Sequence, residues 1–483
     1  MNYQVIGLEN DHPVREMLLN LLPAEDNAPG SCEENQLNVE VWQSAAGYQI
    51  SARAQRKGVI HTAEREIPLG GDEKRALSHA VKLAVYDAVT PYLEHKPVGG
   101  SLTGVRPAKF ARGFLEKGLK PFEAAKIMTE DYRVTPERRA LAIRSAAIAM
   151  DAKKALRPKD ISIYVGIPFC PSRCSYCSFV SHSIERAAHL IAPYLGTLCG
   201  EIKAAGDAVR EAGLRVVSVY IGGGTPTTLS AEQLDILLYA LETCFDLSEI
   251  TEFTVEAGRP DTITEAKLRT LAAHGVDRIS INPQSMNDEV LAAIGRRHSA
   301  EDVIRTYETA RRIGFKSINM DTIAGLEKDT PESFVHTLET LIGLEPENLT
   351  VHTLAVKRGA TQQDRAAAQQ RHDDVRRMLD AAYPMLTAAD YAPYYLYRQK
   401  FMAGGYENTG WCRPGFECLY NVYMMEELQT ILSLGAGGVT KLLSTDGRQI
   451  RRISNPKYPY EYNVSLEKIS AAKRELVAWA DTL

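Results

Sequence analysis

The sequence predicts an α/β protein built on a partial (β/α)6 barrel, with an N-terminal α+β module and a C-terminal α+β region. Three observations carry this. Six short apolar, β-branched runs recur between positions 161 and 354. Helical apolar spacing separates them, and near-continuous apolar strands alternating with helices mark parallel βαβ units buried on both faces. The notable polar residues fall at the C-terminal ends of these runs, where barrels of this kind carry their function.

The elements follow in order. Residues 1–100 alternate strand-like runs at 3–7, 38–42, 48–54 and 59–67 with helical patterns near 14–22 and 74–92, which reads as a small α+β module. Between them, 23–36 is rich in Pro, Asn, Gly and acidic residues and reads as a loop. Residues 101–157 form a helical connector, with Thr135-Pro136-Glu137 as a helix start: Thr caps, and Pro at the first helical position loses no hydrogen bond. The barrel occupies 158–380, with strands expected at 161–167, 216–221, 253–256, 278–282, 317–323 and 349–354. Residues 381–483 hold Tyr-rich and Gly-rich stretches and end in an amphipathic helix over 466–483.

Composition narrows the function. The 483 residues carry 56 Lys and Arg against 61 Asp and Glu, a net charge of −5 that gives no support to general nucleic-acid binding. No basic segment followed by an apolar one opens the chain, and no apolar stretch is long enough to cross a bilayer, so a cytoplasmic protein without a membrane span is expected. Eight cysteines in such a chain argue against a disulfide framework.

Three of them cluster. Cys170, Cys174 and Cys177 lie on one loop just after the first barrel strand, in the order Cys-x3-Cys-x2-Cys. Thiolates are soft ligands suited to zinc or to iron–sulfur clusters. A closed structural site would need a fourth ligand, and none follows at regular spacing, since position 179 is Phe. A 4Fe–4S cluster on three cysteines keeps one iron open for a ligand. Cys412 and Cys418 are also close in sequence, but two thiols at that spacing read as free buried thiols and not as a second cluster.

The triplet, with an aromatic directly before its last Cys, resembles the signature of the radical S-adenosylmethionine enzymes. The resemblance implies a 4Fe–4S cluster held by Cys170, Cys174 and Cys177, S-adenosylmethionine chelated to the open iron, and reductive cleavage to a 5′-deoxyadenosyl radical. Gly222-Gly223-Gly224-Thr225, after the second strand, is similar to the motif that contacts the methionine amino group in that superfamily. Glu256 matches a cofactor-site Glu, Gln284 the residue that hydrogen-bonds the ribose, Arg296 the arginine that pairs with the methionine carboxylate, and Asp321 the acidic residue ending the fifth strand. Tyr164 matches the tyrosine near the sulfonium, where it would also be catalytic.

Within the superfamily, stretches such as Gly104-Val105-Arg106-Pro107, Tyr394-Tyr395-Leu396-Tyr397-Arg398 and Leu434-Gly435-Ala436-Gly437-Gly438 resemble the oxygen-independent coproporphyrinogen III dehydrogenase branch. That resemblance implies oxidative decarboxylation of two propionates to vinyl groups, an oxidoreductase step of heme biosynthesis, fed by a flavodoxin- or ferredoxin-type electron donor. Phe179 stands where the founding enzymes of the branch carry a further Cys; related heme chaperones also have Phe there. A heme chaperone and an anaerobic heme-modifying enzyme are the rival readings. A porphyrinogen or heme-like substrate with several carboxylates calls for cations and aromatic faces. Lys357 and Arg358 past the sixth strand, and Tyr395, Arg398, Glu407 and Asn408 in a C-terminal region covering the barrel mouth, are the candidates, with Arg398 also expected in a catalytic role.

Overall fold

The computed structural model describes residues 1–22, 27–32, 34–104, 106–177, 181–355, 371–398, 406–447 and 449–481. They form two compact units: Met1–Ala146 with Ala355–Arg376 and Tyr397–Glu407, and Ala147–Leu354 with Arg377–Leu396 and Asn408–Leu483. The expected boundaries near 100 and 157 do not separate these units. Residues 101–146 belong with the N-terminal module because they are tied into it: Arg133 pairs with Asp87 at 3.1 Å, and the Tyr132 ring packs on His79.

The first unit is built on a five-stranded sheet. Its strands are β1 (Asn2–Ile6), β2 (Ala28–Pro29), β3 (Asn35–Ser44), β4 (Gly47–Arg56) and β5 (Val59–Pro68), in the spatial order β2-β1-β3-β4-β5. The stretch expected as a loop thus supplies a short edge strand and the start of β3. The helices His12–Leu21 and Glu73–Val89 contribute Val14, Met17, Leu18, Val81 and Val85 to a core with Leu37, Val39 and Ile50 from the sheet.

The second unit contains an eleven-stranded sheet. All six expected barrel strands are present: β6 (Asp160–Ile167), β9 (Arg215–Gly223), β10 (Glu252–Gly258), β11 (Arg278–Ile281), β12 (Ser317–Ala324) and β13 (Asn348–Thr353), each parallel to the next. Two short pieces, β7 (Phe169–Cys170) and β8 (His182–Ser183), pair beside the cysteine loop. The intervening helices start where sequence chemistry places them: Ser230, Thr264, Ser299 and Thr330 each accept a hydrogen bond from a first-turn N–H.

The region after the barrel extends this sheet at both edges. On the far side, β14 (Ala392–Tyr397) and β15 (Asn408–Cys412) follow β13, with β15 antiparallel to it. On the near side β16 (Thr430–Leu434) lies parallel to β6, followed by antiparallel β17 (Val439–Leu443) and β18 (Ile450–Ser454). The single C-terminal helix expected over 466–483 is two, Leu466–Lys473 and Glu475–Ala480.

A buried carboxylate anchors the closing segment. Glu201, on the helix Ile191–Glu211, has no exposed surface and accepts from Gly435 N (2.8 Å), Asn455 Nδ2 (2.7 Å) and the Tyr462 hydroxyl, while pairing with Lys473 at 2.7 Å. Tyr194, from the same helix, donates to Gly166 O and accepts from Ala436 N. Gly435, Ala436, Asn455, Tyr462 and Lys473 are thereby held to this helix, which itself bonds the end of β6 at Gly166.

Candidate active site

The C-terminal ends of β6, β9, β10, β11 and β12 carry the residues that the sequence marks for the cofactor. The chain turns from β9 into Gly224, where an added Cβ would stand 2.5 Å from Phe169 O and 3.0 Å from Cys170 Sγ. Only glycine lets the strand end approach the cysteine loop this closely. Thr225 completes the contact, its N–H donating to Phe169 O (2.7 Å) and its hydroxyl to Cys170 Sγ (3.5 Å). At Gly222 a Cβ would meet the Glu256 carboxyl at 2.9 Å, so the two motifs interlock.

Glu256 faces a stack of tyrosines. Tyr220 and Tyr420 lie 4.4 Å apart between ring centres, and Tyr164 lies 6.3 and 6.2 Å from them. The Tyr220 hydroxyl donates to Glu256 Oε1 at 2.6 Å. Burial raises the Glu256 carboxyl to about 7, against the Tyr220 hydrogen bond, and nearby Asp321 raises it further. Asp321 itself lies below its usual range: desolvation pushes it up, but His352 (3.5 Å) and hydrogen bonds from Asn319 and Thr350 outweigh that.

Gln284 has left-handed backbone (φ 72°), strained for a non-glycine residue, and is held by Gln284 N donating to Asp321 O and Ile323 N donating to Gln284 O. Arg296 donates from Nη1 to Asn282 O (3.1 Å) and from Nη2 to the Tyr176 hydroxyl (2.8 Å). Gln284 Oε1 and Arg296 Nε are buried with no hydrogen-bond partner. Buried polar atoms of this kind are what a polar ligand satisfies.

The three cysteines line one loop, and among the described residues no three His, Cys, Asp or Glu side chains are gathered into a ready-made ion cage. The surroundings nevertheless fit a sulfur-ligated cluster with a nucleotide-like ligand beside it. Cys170 and Cys174 have hydrogen-bond donors at sulfur, Gly224 is pressed against Cys170, and unpaired amide and guanidinium atoms stand at the neighbouring strand ends.

The substrate candidates fall out differently. Lys357 and Arg358 lie outside the described residues, as do Phe179 and Lys400. Tyr395 is buried in β14 against Gly410, and Asn408 in β15 accepts from Thr353 N at 2.7 Å; both serve the sheet extension. Arg398 and Glu407, expected as part of a propionate clamp, lie against each other. Both belong to the first unit; Glu407 is buried and takes Arg138 at 2.9 Å and Arg398 at 3.7 Å, while the half-buried Arg398 donates from Nη1 to Leu102 O. The guanidinium is already paired by its own fold. Cys418 is buried and bonds Glu252 Oε1 at 3.2 Å, and Cys412 is buried as well. Sequence reasoning missed Tyr220, inside the 216–221 strand run, Arg259, three positions after Glu256, and Tyr420, two positions after Cys418; none has a period of its own to mark it.

Six parallel strands with a cysteine loop after the first and polar cofactor-type groups at the ends of the others define a radical S-adenosylmethionine protein, and residues 164–341 match the model of the Radical SAM superfamily. The E. coli coproporphyrinogen III oxidase HemN, a radical SAM enzyme, superposes with a TM-score of 0.51 at 26% identity, over 67% of this chain and 73% of that one. The oxygen-independent coproporphyrinogen-III oxidase-like protein HemZ of Bacillus subtilis is 40% identical over 379 residues, 77% of this chain and 76% of the relative. The heme chaperone HemW of Haemophilus influenzae is 28% identical over 62% of this chain and 75% of its own length. The chain belongs to the HemZ-like branch of the superfamily, and its cofactors are a 4Fe–4S cluster and S-adenosylmethionine. Among the described residues no helix is long and apolar enough to cross a membrane.

Proposed function

We propose that this protein converts propionate side chains of coproporphyrinogen III to vinyl groups without oxygen, as a cytoplasmic oxidoreductase supplied by a flavodoxin- or ferredoxin-type donor. The observation that carries this reading is the similarity to HemZ, which covers 77% of the chain and so reaches well beyond the barrel segment shared by the superfamily.

When bound, the cluster and S-adenosylmethionine supply one-electron, hydrogen-abstracting chemistry. The chain's residues do the rest. Cys170, Cys174 and Cys177 would hold the cluster, Gly222, Gly223, Gly224 and Thr225 would let the methionine amino end approach, and Arg296 would pair its carboxylate in fork geometry. Gln284 and Asp321 would orient the ribose side. Glu256 would sit beside the amino group, and Tyr164, stacked on Tyr220 and Tyr420, would wall the reacting end against water. Lys357 and Arg358, which follow β13 in sequence, are the candidates to clamp substrate carboxylates.

Anaerobic reconstitution, then mass spectrometry of coproporphyrinogen III incubated with S-adenosylmethionine and a reductant, tests this. Vinyl products formed in step with 5′-deoxyadenosine support it. The similarity to HemW favours a second reading, delivery of heme. Stoichiometric heme binding with no vinyl product would make that the function.

A further inference from the structure

Arg259 follows β10 directly and is buried, and its guanidinium is shared between two tasks. One edge grips Asp261 in bidentate fashion, Nε to Oδ1 at 3.0 Å and Nη2 to Oδ2 at 2.7 Å. The remaining nitrogen, Nη1, turns to the cysteine loop: Ser172 Oγ at 2.8 Å, Ser172 O at 3.2 Å and Cys174 Sγ at 3.8 Å. The same loop is held on its other side, Ser172 Oγ donating to Gly295 O and Ser175 N to Ile294 O. Beyond Asp261 stands His298, its side chain wholly buried and its Nδ1 3.9 Å from Asp261 Oδ1.

We propose that Arg259 is a positioning residue that sets the reduction potential of the 4Fe–4S cluster through its hydrogen bond to the Cys174 sulfur. The inference rests on the assignment of the cluster to Cys170, Cys174 and Cys177. Hydrogen bonds to ligating sulfur and nearby positive charge both stabilise the reduced, more negative cluster, and so raise its potential. Burial strengthens both effects, because little solvent screens them. Asp261 is the counterweight. Its carboxylate cancels much of the guanidinium's field, so that the sulfur feels the directed N–H more than the net charge. The fork geometry makes the role specific to arginine, since a lysine cannot bind a carboxylate in bidentate fashion and also reach both Ser172 and the sulfur.

The test is an EPR-monitored potentiometric titration of the anaerobically reconstituted full chain, with iron and acid-labile sulfide assayed on the same samples. Arg259→Gln should shift the midpoint to more negative potential with iron and sulfide content retained. Asp261→Asn, which leaves the guanidinium uncompensated, should shift it in the opposite direction. Arg210→Gln, an exposed site far along the helix Ile191–Glu211, should leave it unchanged. Midpoints that stay at the wild-type value in both Arg259→Gln and Asp261→Asn overturn the proposal. If Arg259→Gln fails to fold or to take up iron, Asp261→Asn decides: a positive shift supports tuning, and no shift overturns it. Wild-type protein that takes up no iron, or keeps its cluster after Ser replaces each of the three cysteines, instead refutes the assignment beneath it.

Discussion

Arg296 and the cysteines of the loop answer different questions. Arg296→Ala removes a charge-assisted pair, typically ~1.5–3 kcal/mol, so S-adenosylmethionine affinity by equilibrium dialysis should fall roughly ten- to a hundredfold. Iron content should hardly change. Ser at Cys170, Cys174 or Cys177 should abolish iron binding, while Ser at Cys199 or Cys244 should leave it intact by the same assay. Glu256 adds a pH signature. Its folded value of about 7 lies above the 4.5 of an unperturbed Glu, so the folded protein holds the proton more tightly. The associated stability is fully present below pH 4.5 and is lost as pH rises through 7, amounting to roughly 3 kcal/mol. Denaturant titrations at pH 5 and pH 8 should show a smaller pH difference for Glu256→Gln than for wild type. An identical difference would mean that the carboxyl ionises freely. At this scale the placement of Glu256 and Gln284 near strand ends was legible, because each sits in a motif that closes an apolar run. Arg398 marks the limit: an arginine among tyrosines looks the same in sequence whether its partner is a substrate carboxylate or Glu407.

Elements were legible in proportion to how local their causes are. The six barrel strands announce themselves as apolar β-branched runs, and their helices carry Ser or Thr caps within a few residues. The pairing of β16 with β6 joins segments more than 260 positions apart, and no local pattern encodes it. The turn at Gly224 lies between these extremes, since glycines mark a close approach without naming the partner. Gly224→Ala should push the β9 end away from Phe169 O and Cys170 Sγ and cut iron loading, whereas Gly222→Ala should keep the iron and weaken S-adenosylmethionine binding through Glu256. Equal iron loading in Gly224→Ala and wild type would show that the loop shifts freely. Glu201→Ala strands Lys473 as a buried uncompensated charge, which typically costs ~3–5 kcal/mol, so the thermal midpoint should drop by several degrees.

At the scale of the whole molecule, the Arg398–Glu407–Arg138 cluster belongs to the first unit, and the expected consequences of its loss are structural. Arg398→Ala should lower the thermal midpoint while leaving iron content and S-adenosylmethionine affinity at wild-type values. A loss of cofactor affinity at unchanged stability would return Arg398 to the site. The first unit also has a peculiarity of chain order, being assembled from Met1–Ala146, Ala355–Arg376 and Tyr397–Glu407. During synthesis its opening 146 residues leave the ribosome long before the two pieces that complete it, and every residue of Ala147–Leu354 emerges in between. Domains commonly mature from the N-terminus onward. Here the sheet core drawn from residues 1–93 is already complete in the part made first, whereas Arg138 meets Glu407 only once residue 407 has been translated.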